Sequence, residues 1–196
     1  MFLWMPKLGG FIVRFHYKDI ITIPNLLSMF RIILIPFFVT IYLLANVPKD
    51  YYIATFIILL SSLSDFFDGL IARRFNQISE FGKALDPIAD KLTQIAIAAC
   101  LLFRFKYMWL LFGLLIIKEL FMAINGLILL KRGRKLDGAM WFGKVSTAVF
   151  YVTTLVLIAF PTIDSHIANL LILVASFFLL LSFILYIPEY IKLYRN

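Results

Sequence analysis

Apolar residues run through this chain in blocks of about twenty, broken by short polar stretches. A helix that crosses a bilayer needs about 20 mainly apolar residues. Six segments meet that length: residues 24–46, 51–74, 84–104, 107–131, 140–161 and 166–189. The turns between them are short, so the pattern predicts an all-α membrane protein built as a six-helix bundle, in which each helix satisfies its own backbone groups. Residues 1–22 read differently. Lys7, Gly9, Gly10, Arg14 and Lys18 interrupt their apolar character, and no small-residue cleavage site follows. They are expected to form an interfacial amphipathic segment anchored by Trp4 and Phe11, ahead of a membrane domain at 23–196.

Composition agrees with a lipid solvent. The 196 residues are 63% hydrophobic and 15% charged, whereas soluble domains are about half apolar and about a quarter charged. The net charge of +8 fits anionic lipid headgroups and cytoplasmic loops better than nucleic acid. Cations at 31, 73–74, 83, 91, 131–135 and 144 and at both chain ends fall on one side of the six-span layout. Lys49, Arg104 and Lys106 fall on the other. Both ends are therefore expected in the cytoplasm. The lone Cys100 sits in an apolar run and has no partner for a disulfide.

The chemistry concentrates in one polar island. Of eleven acidic residues, Asp65, Asp68, Asp86 and Asp90 lie at the facing ends of the second and third segments. Residues three or four apart share a helix face. Asp65 and Asp68 therefore form one pair, Asp86 and Asp90 another, and a helical hairpin brings the pairs together. Four carboxylates in a partly dry space repel one another and need compensating positive charge. Hard divalent cations, Mg²⁺ or Mn²⁺, suit such oxygen donors, and a two-ion site suits phosphoryl transfer. Gly69 and Gly82 leave room for a nucleotide to approach, as does the small Ala72, and Arg73 can grip a phosphate with two donors. The plainer alternative is that the aspartates pair with Arg73, Arg74, Lys83 and Lys91 as loop salt bridges.

Written out, the island reads D-x2-D-G-x2-A-R-x8-G-x3-D-x3-D from Asp65 to Asp90. It resembles the signature of the CDP-alcohol phosphatidyltransferase family at every fixed position and at the family's spacing. The resemblance implies a six-helix membrane enzyme, usually a homodimer, with its active site at the cytoplasmic face of the membrane. It implies that Asp65, Asp68 and Asp86 are the main metal ligands. Asp90 corresponds to the general base and also touches metal, while Gly69, Ala72, Arg73 and Gly82 belong to the CDP-binding part.

The segments Leu85-Asp86-Pro87-Ile88-Ala89-Asp90-Lys91 and Ile23-Pro24-Asn25-Leu26-Leu27-Ser28-Met29-Phe30-Arg31 resemble the branch that transfers the phosphatidyl group of CDP-diacylglycerol to glycerol 3-phosphate. The related branch that uses phosphatidylglycerol is the alternative. Asn25 and Ser28 are candidates for nucleotide contact or for capping the first helix. An acceptor with its own phosphate needs further cations. Lys118, inside an apolar stretch beside Glu119, is one candidate, where that branch often carries arginine; Lys135 and Lys144 are others. Snorkelling or positive-inside loops account for the same lysines without a ligand. A small membrane transporter is the competing class, but its acidic residues would spread toward the bilayer midplane on broken helices.

Overall fold

The computed structural model describes residues 22–74, 79–133 and 140–195. Within them lie six helices: α1 (Ile23–Leu43), α2 (Pro48–Arg74), α3 (Glu80–Leu101), α4 (Met108–Lys131), α5 (Trp141–Ala159) and α6 (Ser165–Arg195). Each falls on one of the six apolar segments. The expected interfacial segment at 1–22 lies, but for Thr22, outside the described residues. By length and composition α1, α4, α5 and α6 can cross a membrane. α2 and α3, of 27 and 22 residues, have the length of a span and carry the polar island.

Helix starts follow local chemistry. Thr22 caps α1, its hydroxyl accepting from Asn25 N at 3.4 Å. Asp50 folds back to accept from the backbone N–H groups of Asn46 and Val47 at the start of α2. Asp164 does the same for His166 and Ile167 at α6. Inside the helices, the hydroxyls of Thr55, Ser64, Thr93, Thr154 and Ser176 each donate to the carbonyl four residues back. That leaves few hydroxyls in need of water, as a lipid environment requires. A helix over the apolar segment 84–104 would hold Pro87 in its first turn. The helix begins at Glu80, so Pro87 lies inside it and removes one backbone hydrogen bond.

The chain divides into two compact units, one ending at Cys100 and one beginning at Leu101. In the first, α1 buries Pro24, Asn25, Ser28, Arg31, Phe38 and Tyr42, a helical stripe that holds three polar side chains. The opposite face shows Ile23, Leu26, Phe30, Ile33 and Phe37 outward, as a lipid-facing surface does. In the second unit, α6 packs on α4 and α5 around Leu129, Phe142, Tyr186 and Tyr190. Tyr190 Oη donates to the Met122 carbonyl at 3.3 Å and Tyr194 Oη to Asn125 Oδ1 at 3.0 Å. Tyr186 fills the notch left by Gly143.

A Cβ at position 143 would overlap the Tyr186 hydroxyl and lie 3.1 Å from its Cζ. Gly143→Ala is therefore expected to destabilise the fold by about 1–3 kcal/mol, the usual cost of overpacking. Gly126→Ala, where nothing lies within 4 Å, is expected to be neutral or slightly stabilising. Thermal unfolding in detergent checks the contrast, and equal melting temperatures for the two variants would refute it.

Candidate active site

The first unit assembles its polar residues around α1. Arg31 is 1% exposed. Its Nη1 lies 2.5 Å from Asp65 Oδ1, and its Nη2 donates to Asp68 Oδ2. One guanidinium thus bridges the two aspartates that α2 presents on one face. Ser28, three residues earlier on α1, carries the contact to α3: its hydroxyl hydrogen-bonds Asp86 Oδ1 and lies 3.4 Å from Asp68 Oδ2. The same hydroxyl reaches the Pro24 carbonyl at 3.1 Å. Ser28 thereby brings Asp68 of the first pair beside Asp86 of the second, the juxtaposition that the hairpin spacing predicts.

Exposure grades across the cluster. Asp68 is buried, while the Asp65 side chain is 51% exposed. Asp90, one turn beyond Asp86, accepts from Gln94 Nε2 at 3.0 Å and lies 3.5 Å from Lys91 Nζ. Asp90 is thus held at its edge and partly open to solvent. Among the described residues no three acidic, histidine or cysteine side chains stand close enough together to enclose a metal ion. Arg31 and Ser28 occupy the positions between the carboxylates. The donor chemistry still fits a hard divalent cation, because every available ligand is a carboxylate or hydroxyl oxygen.

Asn25 and Ser28 do not cap α1, since Thr22 does. Both are buried and bonded within the protein. Asn25 Nδ2 donates to Ser79 Oγ at 3.0 Å, and Ser79 Oγ accepts from Gly82 N at 2.9 Å. A Cβ on Gly82 would overlap Asn25 Oδ1 and meet Ser79 Oγ at 3.0 Å. The small residue at 82 thus admits the start of α1 against the start of α3. The positions of Gly69, Ala72 and Arg73 are on α2, but their side chains are outside the described set.

The candidate acceptor lysines belong to the second unit. Lys118 is buried on α4 and pairs with Glu119 at 2.9 Å. Lys144 is exposed in the first turn of α5, and Lys135 lies outside the described residues.

Sequence reading counted Arg31 among the orienting cations and missed its place between the aspartates. The available signal was an arginine inside an apolar span, three residues beyond Ser28 and six beyond Asn25. That spacing keeps all three near one helix face.

The chain belongs to the CDP-alcohol phosphatidyltransferase family, whose model matches residues 21–187. It is thus an enzyme of an integral membrane class. Its similarity extends to particular members. It is 37% identical, over 72% of this chain and 79% of the relative, to the CDP-diacylglycerol–glycerol-3-phosphate 3-phosphatidyltransferase of Escherichia coli strain K12. The enzymes of the same description from Shigella flexneri serotype 5b and Shigella sonnei match to the same extent.

Proposed function

We propose that this protein transfers the phosphatidyl group of CDP-diacylglycerol to glycerol 3-phosphate, giving phosphatidylglycerophosphate and CMP in phospholipid biosynthesis. The observation that carries the reading is the Ser28 hydroxyl set between Asp68 and Asp86, which joins the Asp65–Asp68 pair to the Asp86–Asp90 pair. It unites all four acidic positions of the family signature. The 37% identity to enzymes described by that reaction supports the choice of acceptor.

In this reading Asp65, Asp68, Asp86 and Asp90 hold Mg²⁺ or Mn²⁺, with two ions in the site. When bound, the metal neutralises charge on the pyrophosphate of the donor. Asp90, whose carboxylate is partly open to solvent, accepts the proton of the acceptor hydroxyl. The freed oxygen attacks the phosphorus bearing diacylglycerol, the bond from that phosphorus to the CMP oxygen breaks, and CMP departs. Gln94 and Lys91 keep the Asp90 carboxylate aimed while it takes the proton. Gly69, Ala72 and Arg73 take the CDP moiety. Asn25, Ser28 and Gly82 shape that side of the site through the packing of α1 on α3. Lys118, Lys135 and Lys144 supply cations for the acceptor's phosphate.

The wider reading places six spans in the cytoplasmic membrane, the segment 1–22 along its surface and the site at the cytoplasmic face. The protein acts as a homodimer. Excess cations on one side of the span layout support the orientation.

The test is a reconstituted assay with CDP-diacylglycerol, Mg²⁺ or Mn²⁺ and one acceptor at a time, following CMP and lipid product. Glycerol 3-phosphate is expected to be the productive acceptor, with serine, inositol and inositol phosphate at background. Cardiolipin formed from phosphatidylglycerol would replace the proposed acceptor with a lipid. Folded protein that releases no CMP with any acceptor would overturn the assignment.

A further inference from the structure

A buried arginine is among the most expensive residues to place in a helix bundle, because its charge leaves water for a poor solvent. Arg31 is held at 1% exposure, on a helix that is otherwise apolar enough to cross a membrane. Its partners are Asp65 and Asp68. The fit is one of charge more than of directed bonding. Nη2 donates to Asp68. Nη1 meets Asp65 as an ion pair at 2.5 Å, and Nε finds no acceptor among the described residues. A fully formed arginine–carboxylate fork would use two parallel bonds. This guanidinium has donors to spare beside two carboxylates.

We infer that Arg31 is the internal counter-cation of the site, balancing Asp65 and Asp68 until a divalent cation takes over that role. The inference rests on the metal-binding part of the proposed function. Two carboxylates one helical turn apart, facing a second pair across a hairpin, would repel and splay if nothing positive stood between them. Arg31 keeps them gathered. The oxygens it holds are the oxygens a metal needs, so arginine and metal compete for them. Binding of the ion and retention of the Arg31–Asp65 and Arg31–Asp68 pairs are then opposed, and each weakens the other reciprocally. Arg31 thereby acts as a positioning residue that sets how tightly and how fast the site loads.

The experiment compares native protein, Arg31→Met and Arg31→Lys in detergent, titrated with Mn²⁺. Free Mn²⁺ is read by electron paramagnetic resonance, and melting temperature is read with and without the ion. Methionine keeps much of the apolar stem and removes the charge. Arg31→Met is expected to bind Mn²⁺ at least about tenfold more tightly than native, since a like charge a few ångströms from the ion is gone. Its melting temperature without metal should fall, and Mn²⁺ should raise it by more than it raises the native protein. Arg31→Lys keeps the charge and should stay close to native affinity. If Arg31→Met proves too unstable without metal, purification in Mn²⁺ followed by chelation supplies the same comparison, with unfolding on chelation as the expected result.

Native protein that binds Mn²⁺, beside an Arg31→Met variant that binds it equally or more weakly, would overturn this inference and leave the metal reading intact. No Mn²⁺ binding by any of the three folded proteins would overturn both.

Discussion

Asp90→Asn is expected to lower kcat by about 10²–10⁴-fold, the range for loss of a general base, with KM for CDP-diacylglycerol changed only a few-fold. Asparagine matches aspartate in size and keeps an oxygen for the Gln94 amide that now donates at 3.0 Å. The weak Lys91 contact, at 3.5 Å on a side chain about one-third exposed, contributes little to stability. The variant should therefore fold, and the loss should appear in turnover. CMP release at saturating donor, together with melting temperature, separates the two quantities. Native-like melting with activity within tenfold of native would remove Asp90 from the role of base. Loss of melting stability equal to the loss of turnover would make it structural.

Asp68→Ala is expected to cost about 3–5 kcal/mol of stability, because it leaves a buried guanidinium half-compensated. Asp68 and Arg31 are both buried, whereas Asp65 is half-exposed. Asp65→Ala should cost no more than about 1 kcal/mol, since water can take the place of an exposed carboxylate. Removing both buried charges together, as Arg31→Met with Asp68→Leu, should recover much of the loss, because an ion pair replaced whole by apolar groups costs far less than one partner stranded. Equilibrium unfolding in mixed detergent micelles measures all three. Equal destabilisation by Asp68→Ala and Asp65→Ala would mean that Arg31 does not depend on its buried partner.

The helices were legible because a membrane imposes a length, and apolar runs of that length stand out even without an amphipathic pattern. Their ends were less legible. The last helix was expected to stop at residue 189, where charged residues return, yet α6 continues to Arg195. Beyond the apolar run it is held by side chains: Lys192 pairs with Glu189, and Tyr190 and Tyr194 bond to α4. The facing of the four aspartates followed from spacings of three and four residues, which are local. Arg31 was hidden because its partner Asp68 is 37 residues away, and one chain's sequence does not say which helix lies beside which. Gly82 was read as space for a ligand, whereas Asn25 and Ser79 fill that space. A glycine records that something comes close, not what.

Tyr186, Tyr190 and Tyr194 repeat every four residues along α6, like teeth cut at one pitch. A rack of identical teeth can skip a notch and mesh again, here by a displacement of about 5–6 Å, one helical turn. Two unlike locks prevent it. A skip in one direction would set Ser182 in the Gly143 notch in place of Tyr186, leaving the notch underfilled. A skip in the other direction would carry Tyr194 past Asn125 and leave that carboxamide oxygen without its donor. A sliding error of α6 against α4 and α5 therefore fails at one end or the other, and a long, almost uniformly apolar helix acquires a single seating depth.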